Sequence, residues 1–268
     1  MNILALSLLS AGLYGLGTLY QFLIYLRKLP SKPFIGFLLG FVAVSIQLIV
    51  TMHLTFEGDR LNLSLSNTLS LTAGLIVVCL LVLAIKKPLQ SVFLAAYPVA
   101  LLSIIGILSF GDSRYSFSPS DSGIVLHIAL SILAYSVFSI AAIQAILIHT
   151  QNKNLKKKHN TILKRNLPPL LTMENLLFEM IWSGTIILLI AILLGFIFVE
   201  DLFAQHLAHK TFFSLLALGI FSTLLVGRQR YGWRGLRASR MTLIGVTLLM
   251  LGFFGSKLVL QWFILSDA

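Results

Sequence analysis

Charge is what this chain has least of. Of its 268 residues, 11% are charged and 57% hydrophobic, and the mean hydropathy is +0.94. Soluble domains carry about 25% charged residues, so an ordinary cytosolic enzyme is excluded. A disordered chain is excluded too, because disorder needs a shortage of apolar side chains. Cysteine is nearly absent. The single Cys79 rules out an intrachain disulfide framework and any Cys-x-x-Cys redox or metal pair. Acid is scarce as well: nine Asp+Glu stand against 20 Lys+Arg, a net charge of +11. In a soluble protein that excess would suggest nucleic acid. In a chain this apolar it orients loops and meets anionic lipid, and no nucleic-acid partner is expected.

What the sequence has in abundance is long apolar runs. They cover 3–26, 34–54, 66–85, 89–110, 123–149, 176–199, 211–227 and 241–263. A bilayer crossing takes about 20 apolar residues. Lipid offers the backbone no hydrogen-bond partners, so each run is expected to be a helix. The first run has no basic residue ahead of it and is too long for the apolar part of a signal peptide, so it is read as a span. The expected fold is all-α, a polytopic bundle of about eight transmembrane helices forming a single transmembrane domain over 1–268.

Loop charge orients the bundle. Arg27, Lys28 and Lys32 follow the first span, and Lys86 and Lys87 follow the third. Six basic residues from Lys153 to Arg165 follow the fifth, and five from Arg228 to Arg240 follow the seventh. These loops share one side and hold 16 of the 20 basic residues. Glu57, Asp59, Asp112, Asp121, Glu200, Asp201 and Asp267 fall on the other side, seven of the nine acids. Basic loops stay in the cytoplasm, so both termini are expected on the non-cytoplasmic side. Pro168 and Pro169 are expected to end any helix running out of span five. Gly36 and Gly40 form a GxxxG that permits close helix approach.

The six histidines are the residues best suited to chemistry. On this topology His53, His127, His206 and His209 lie at the outer level, and His149 and His159 face the cytoplasm. Ionisable groups at membrane depth are costly and mark functional candidates. Imidazole is also a common ligand of haem iron. His127, Ser131 and Tyr135 are spaced i, i+4, i+8, so one helix face carries a polar stripe starting at its outer end. A helix–helix hydrogen bond would explain the same stripe. Lys257 sits inside the last apolar run. It either snorkels outward or partners an anion, as Lys210, Arg60 and Arg114 on the same side would do. No carboxylate dyad, nucleophile–base pair or phosphate loop is visible.

The run GIVLHIALSILAYS (123–136) resembles the histidine-bearing span of the CcsA/CcmC cytochrome c assembly proteins, in which a His is followed eight residues later by a Tyr. YGWRGLRASRMTLIG (231–245) is similar to the basic turn after that family's penultimate core span, and FFGSKLVLQ (253–261) to the start of its last one. The resemblance covers a core of roughly 66–263, most strongly 123–263, and within the family points to the small eight-span inner-membrane members of YpjD type.

The resemblance implies haem held at the outer face and presented to an apocytochrome. It carries the first axial histidine onto His127. The family's second histidine would fall near Trp262 or Phe263, and the segment 200–210 lacks the family's tryptophans. The second ligand is then expected from His206 or His209, with His53 as a third option; ligation by His127 alone is also open to haem chemistry. A haem propionate would pair with Lys257 or Lys210. The partners implied are haem, an apocytochrome or other inner-membrane proteins, and anionic lipid at the basic loops. The expected role is binding and presentation rather than turnover. The same fold could serve an accessory or regulatory subunit, or a small-solute transporter, although the spans are expected to hold no buried acid besides Glu179.

Overall fold

The computed structural model describes residues 2–26, 28–30, 32–58, 60–87, 90–110, 116–117, 121–156, 169–199 and 208–255. Its helices are α1 (Ile3–Tyr25), α2 (Pro33–Thr55), α3 (Leu65–Ala84), α4 (Gln90–Phe110), α5 (Ser122–Lys156), α6 (Leu170–Phe198), α7 (Ala208–Tyr231) and α8 (Leu236–Met250). Among the described residues, eight helices, one on each apolar run, are long and apolar enough to cross a membrane. Contacts divide the chain into two compact units, Met1–Pro119 and Ser120–Ala268.

In the first unit α1 packs on α2 and α4, and α3 packs on the same two, which closes a four-helix ring. The helix starts follow from local chemistry. Asn2 caps α1 through its side-chain oxygen, which accepts from the Ala5 N–H at 3.2 Å. Ser64 caps α3 by accepting from Asn67, and Pro33 takes the first position of α2, where its missing N–H costs nothing. The buried positions of α1 are Ser7, Ser10, Tyr14, Gly17 and Gln21, while Leu4, Leu8, Leu16 and Leu19 are each more than half exposed. That is the reverse of a helix in water. Leucine gains nothing by leaving lipid for protein, so the contacts between spans go to small and hydrogen-bonding side chains.

Gln47 of α2 gathers this ring. Its Oε1 accepts from the Tyr14 hydroxyl of α1 at 2.7 Å. Its Nε2 reaches Ser70 of α3 and Ser103 of α4 at 3.1 and 3.2 Å. The GxxxG glycines seat a side chain rather than a helix backbone: the Tyr97 hydroxyl donates to the Gly36 carbonyl at 2.8 Å and lies against Gly40, where any Cβ would overlap it.

A small antiparallel sheet, ordered β1-β2-β3, joins helix ends: β1 (Phe56–Glu57), β2 (Arg60–Asn62) and β3 (Ser116–Phe117). The turn between β1 and β2 places Gly58 at φ 63°, a region open to glycine.

The second unit repeats the ring with α5 against α6 and α8, and α7 against the same two. Its centre is a stacked pair, Phe138 and Phe221, with ring centroids 4.0 Å apart and planes 10° from parallel. Gly184 of α6 and Gly245 of α8 back these rings closely. Helix boundaries run past the apolar runs: α5 continues through polar residues to Lys156, α6 starts at Leu170 directly after Pro169, and α8 starts at Leu236. At its far end α8 passes into a π-turn, Leu251–Gly255.

Candidate functional site

The site is built at the end of the second unit where α5 begins and α6 finishes. His127 lies in the second turn of α5, and its Nδ1 is 2.7 Å from the carbonyl oxygen of Ala191 on α6. A carbonyl only accepts, so Nδ1 carries the proton and donates it. In the neutral ring Nε2 is then the nitrogen with a free lone pair. One turn along α6 from that carbonyl stands Gly195. A Cβ there would come within 2.9 Å of His127 Cε1 and 3.2 Å of Nδ1. The missing side chain of Gly195 is therefore the notch that receives the imidazole. A backbone anchor on one nitrogen fixes both tautomer and ring orientation, as the outer partner of a ligating histidine does in metal sites.

The stripe below His127 divides. The Ser131 hydroxyl donates to the His127 carbonyl at 2.8 Å within its own helix, so its hydrogen is committed to the backbone. Tyr135 is buried. Its hydroxyl pairs with Ser214 of α7, and its ring meets Phe253 in the π-turn at 5.0 Å. Tyr135 and Phe253 thus form an aromatic contact between α5 and the π-turn. π-turns in helices are frequent at functional positions, and this one aims Phe253 at Tyr135.

His209 and Lys210 open α7. The pairs Tyr135–Ser214 and Phe138–Phe221 show that α5 and α7 run in the same direction. With a rise of 1.5 Å per residue, His127 stands about 12 Å above the Tyr135–Ser214 contact and His209 about 7.5 Å above it. The two imidazoles therefore lie at one end of the unit, within one helical turn in height. His209 Nε2 is buried and has no hydrogen-bond partner among the described residues. A buried polar atom left unpaired costs free energy unless something else meets it.

The other expected site residues belong to the first unit or lie outside the described residues. His53 is exposed near the end of α2 in the first unit. His206 and Lys257 lie outside the described residues, as do Arg114, Trp262 and Phe263. Sequence reading missed Ala191 and Gly195, because one acts through its carbonyl and the other through an absent side chain. It also missed Ser214 and Phe253, which join Tyr135 only through the packing of three helices.

Chemically this set suits a ligand that brings most of its own coordination. No group of three or more His, Cys, Asp or Glu able to hold a bare metal ion occurs among the described residues. Haem iron has four porphyrin nitrogens and asks the protein for only one or two axial ligands. The nitrogens available for that demand are His127 Nε2, oriented by the Nδ1 contact, and His209 Nε2, which has no hydrogen-bond partner among the described residues.

Comparison with known proteins gives this geometry its setting. A family model described as cytochrome c assembly protein matches residues 35–264. The chain is 28% identical over 207 residues to the inner membrane protein YpjD of Escherichia coli K12, a match spanning 76% of this chain and 78% of that protein. It is 31% identical over 136 residues to an uncharacterized 28.8 kDa protein of Azospirillum brasilense, half of each chain. It is 30% identical over 134 residues to the protein HemX of Brevibacillus brevis, 49% of each.

Proposed function

The chain belongs to the cytochrome c assembly protein family, and on that basis we propose that it binds haem at the non-cytoplasmic face of its second four-helix unit, through His127. It is a multi-pass protein of the bacterial inner membrane, with eight spans. The observation that carries the haem reading is the 2.7 Å contact between His127 Nδ1 and the Ala191 carbonyl beside the Gly195 notch. It leaves Nε2 as the basic nitrogen and holds the ring still.

The residues divide the work. His127 would supply the first nitrogen to the iron. His209, whose Nε2 is buried and has no hydrogen-bond partner among the described residues, would supply the second in preference to His206 and His53. Lys210, beside His209, pairs with a propionate, as Lys257 would from the last span. Haem bound here supplies an iron with axial positions open to nitrogen ligands. The role is to hold and present haem, with an apocytochrome or another inner-membrane protein as recipient. At the opposite end of the helices the exposed Lys86, Arg230, Arg234 and Arg240 face the cytoplasm and meet anionic lipid headgroups.

The test is a haemin titration of the detergent-purified chain, wild type beside His127→Ala, followed by visible absorption. A Soret band that saturates in wild type and is lost in the variant is expected. Folded wild type that takes up no haem would overturn the reading and favour an accessory subunit built on the same fold.

A further inference from the structure

The first unit contains a second polar centre, which the haem reading does not use. Ser7 and Ser10 of α1, Gln47, Val50 and Thr51 of α2, and Ile104 and Ile107 of α4 line one cavity. Each is at least nine-tenths buried. The cavity admits a water molecule's centre over about 10 Å³, close to the smallest volume that holds one water. Four of its seven lining side chains are polar, which separates it from the dry apolar cavities of protein cores.

The hydrogen-bond inventory around the cavity does not close on protein atoms alone. The Ser10 hydroxyl donates to the Ala43 carbonyl at 2.8 Å, so its oxygen keeps acceptor capacity. Thr51 Oγ1 and Ser70 Oγ share one hydrogen bond at 2.9 Å. Both hydrogens of the Gln47 amide are directed to Ser70 and Ser103, and its oxygen accepts from Tyr14. Ser7 Oγ is 1% exposed and has no partner among the described residues. Four residues inside the start of the span Ile3–Tyr25, a hydroxyl so enclosed has no bulk water to turn to.

We infer that this cavity is a binding site for one ordered water molecule. The water accepts from the Ser7 hydroxyl and donates to Ser10 Oγ and Thr51 Oγ1. Three hydrogen bonds are the usual complement of a buried water. The water extends the Gln47 network from Tyr14 to two more polar residues of α1, Ser7 and Ser10, in a network that joins all four helices of the unit. Thr51 is the shared member, since it also holds Ser70.

The test is water-edited solid-state NMR of the full chain in liposomes, with ¹³C-labelled serine and threonine. Thr68 serves as the internal control: it is fully buried, and its hydroxyl is spent on the Ser64 carbonyl at 2.8 Å. Magnetisation from water is expected to reach the Cβ of Ser7, Ser10 and Thr51 well ahead of Thr68. In Ser7→Val the transfer to Ser10 and Thr51 is expected to vanish. In Ser7→Ala the thermal midpoint should fall by about 2–4 °C, for the loss of roughly one hydrogen bond. Transfer no faster than at Thr68 in wild type would overturn the inference, and that measurement stands even where a variant fails to fold. Transfer to Ser10 and Thr51 that persists unchanged in Ser7→Val would overturn it equally.

Discussion

Gly195 and His127 face each other across the α5–α6 seam so closely that a single methyl group would not fit. A Cβ at 195 would come within 2.9 Å of the imidazole Cε1, while the ring's Nδ1 is tied to the Ala191 carbonyl one turn away. Gly195→Val is therefore expected to expel the ring and break that hydrogen bond. Loss of an orienting partner typically costs about 10–100-fold in metal affinity. The haemin titration of Gly195→Val should show weakening of that order, with His127 itself intact. Unchanged affinity would mean that the notch does not matter to binding.

His209 and His127 should separate by spectrum. His209→Ala is expected to retain a Soret band, at a shifted position and with weaker binding, because the iron keeps one histidine and loses the other. His53→Ala, in the first unit, should titrate like wild type. Visible spectra of the three single variants at saturating haemin check this. An unchanged spectrum in His209→Ala would assign the second position to another residue.

Gln47 is expected to be the costliest polar residue of the first unit. Tyr14→Phe removes one hydrogen bond, worth about 0.5–2 kcal/mol within a membrane. Gln47→Ala leaves Tyr14, Ser70 and Ser103 without their shared partner and should cost about 2–3 kcal/mol. Because the two residues bond directly at 2.7 Å, their effects should fall short of additive. A double-mutant cycle in denaturant unfolding measures the coupling.

Phe138 anchors the second unit. It is fully buried and stacks on Phe221, so Phe138→Ala should destabilise that unit by about 3–5 kcal/mol. Gly184→Ala, which pushes a methyl to 3.0 Å from the Phe138 ring, should cost about 1–3 kcal/mol by overpacking. Unfolding followed by limited proteolysis reads both.

The eight spans were legible because hydropathy reports burial in lipid directly. Their ends were less so. α5 carries on through Gln151, Asn152 and Lys153, where helix geometry continues after the apolar signal has stopped. α6 begins six residues before its run, because Pro169 sets the start and Glu174 is buried within the helix. The sheet was not visible, since strands of two or three residues leave no alternating pattern. Gly36 and Gly40 suggested two helices in contact, and the structure instead seats Tyr97 there. His127 could be picked out by its residue type and its place on the topology. Its anchor could not be, because a backbone carbonyl and an absent side chain carry no sequence signature of their own.

Chemical rescue tests the central claim most directly. His127→Gly opens a space the size of the lost ring and keeps the rest of the site. The shifted Soret band of nitrogen-ligated haemin, lost in the variant without additive, is expected to return when imidazole is supplied in solution. A variant that binds haemin as tightly and with the same spectrum as wild type, with or without imidazole, would contradict ligation by His127.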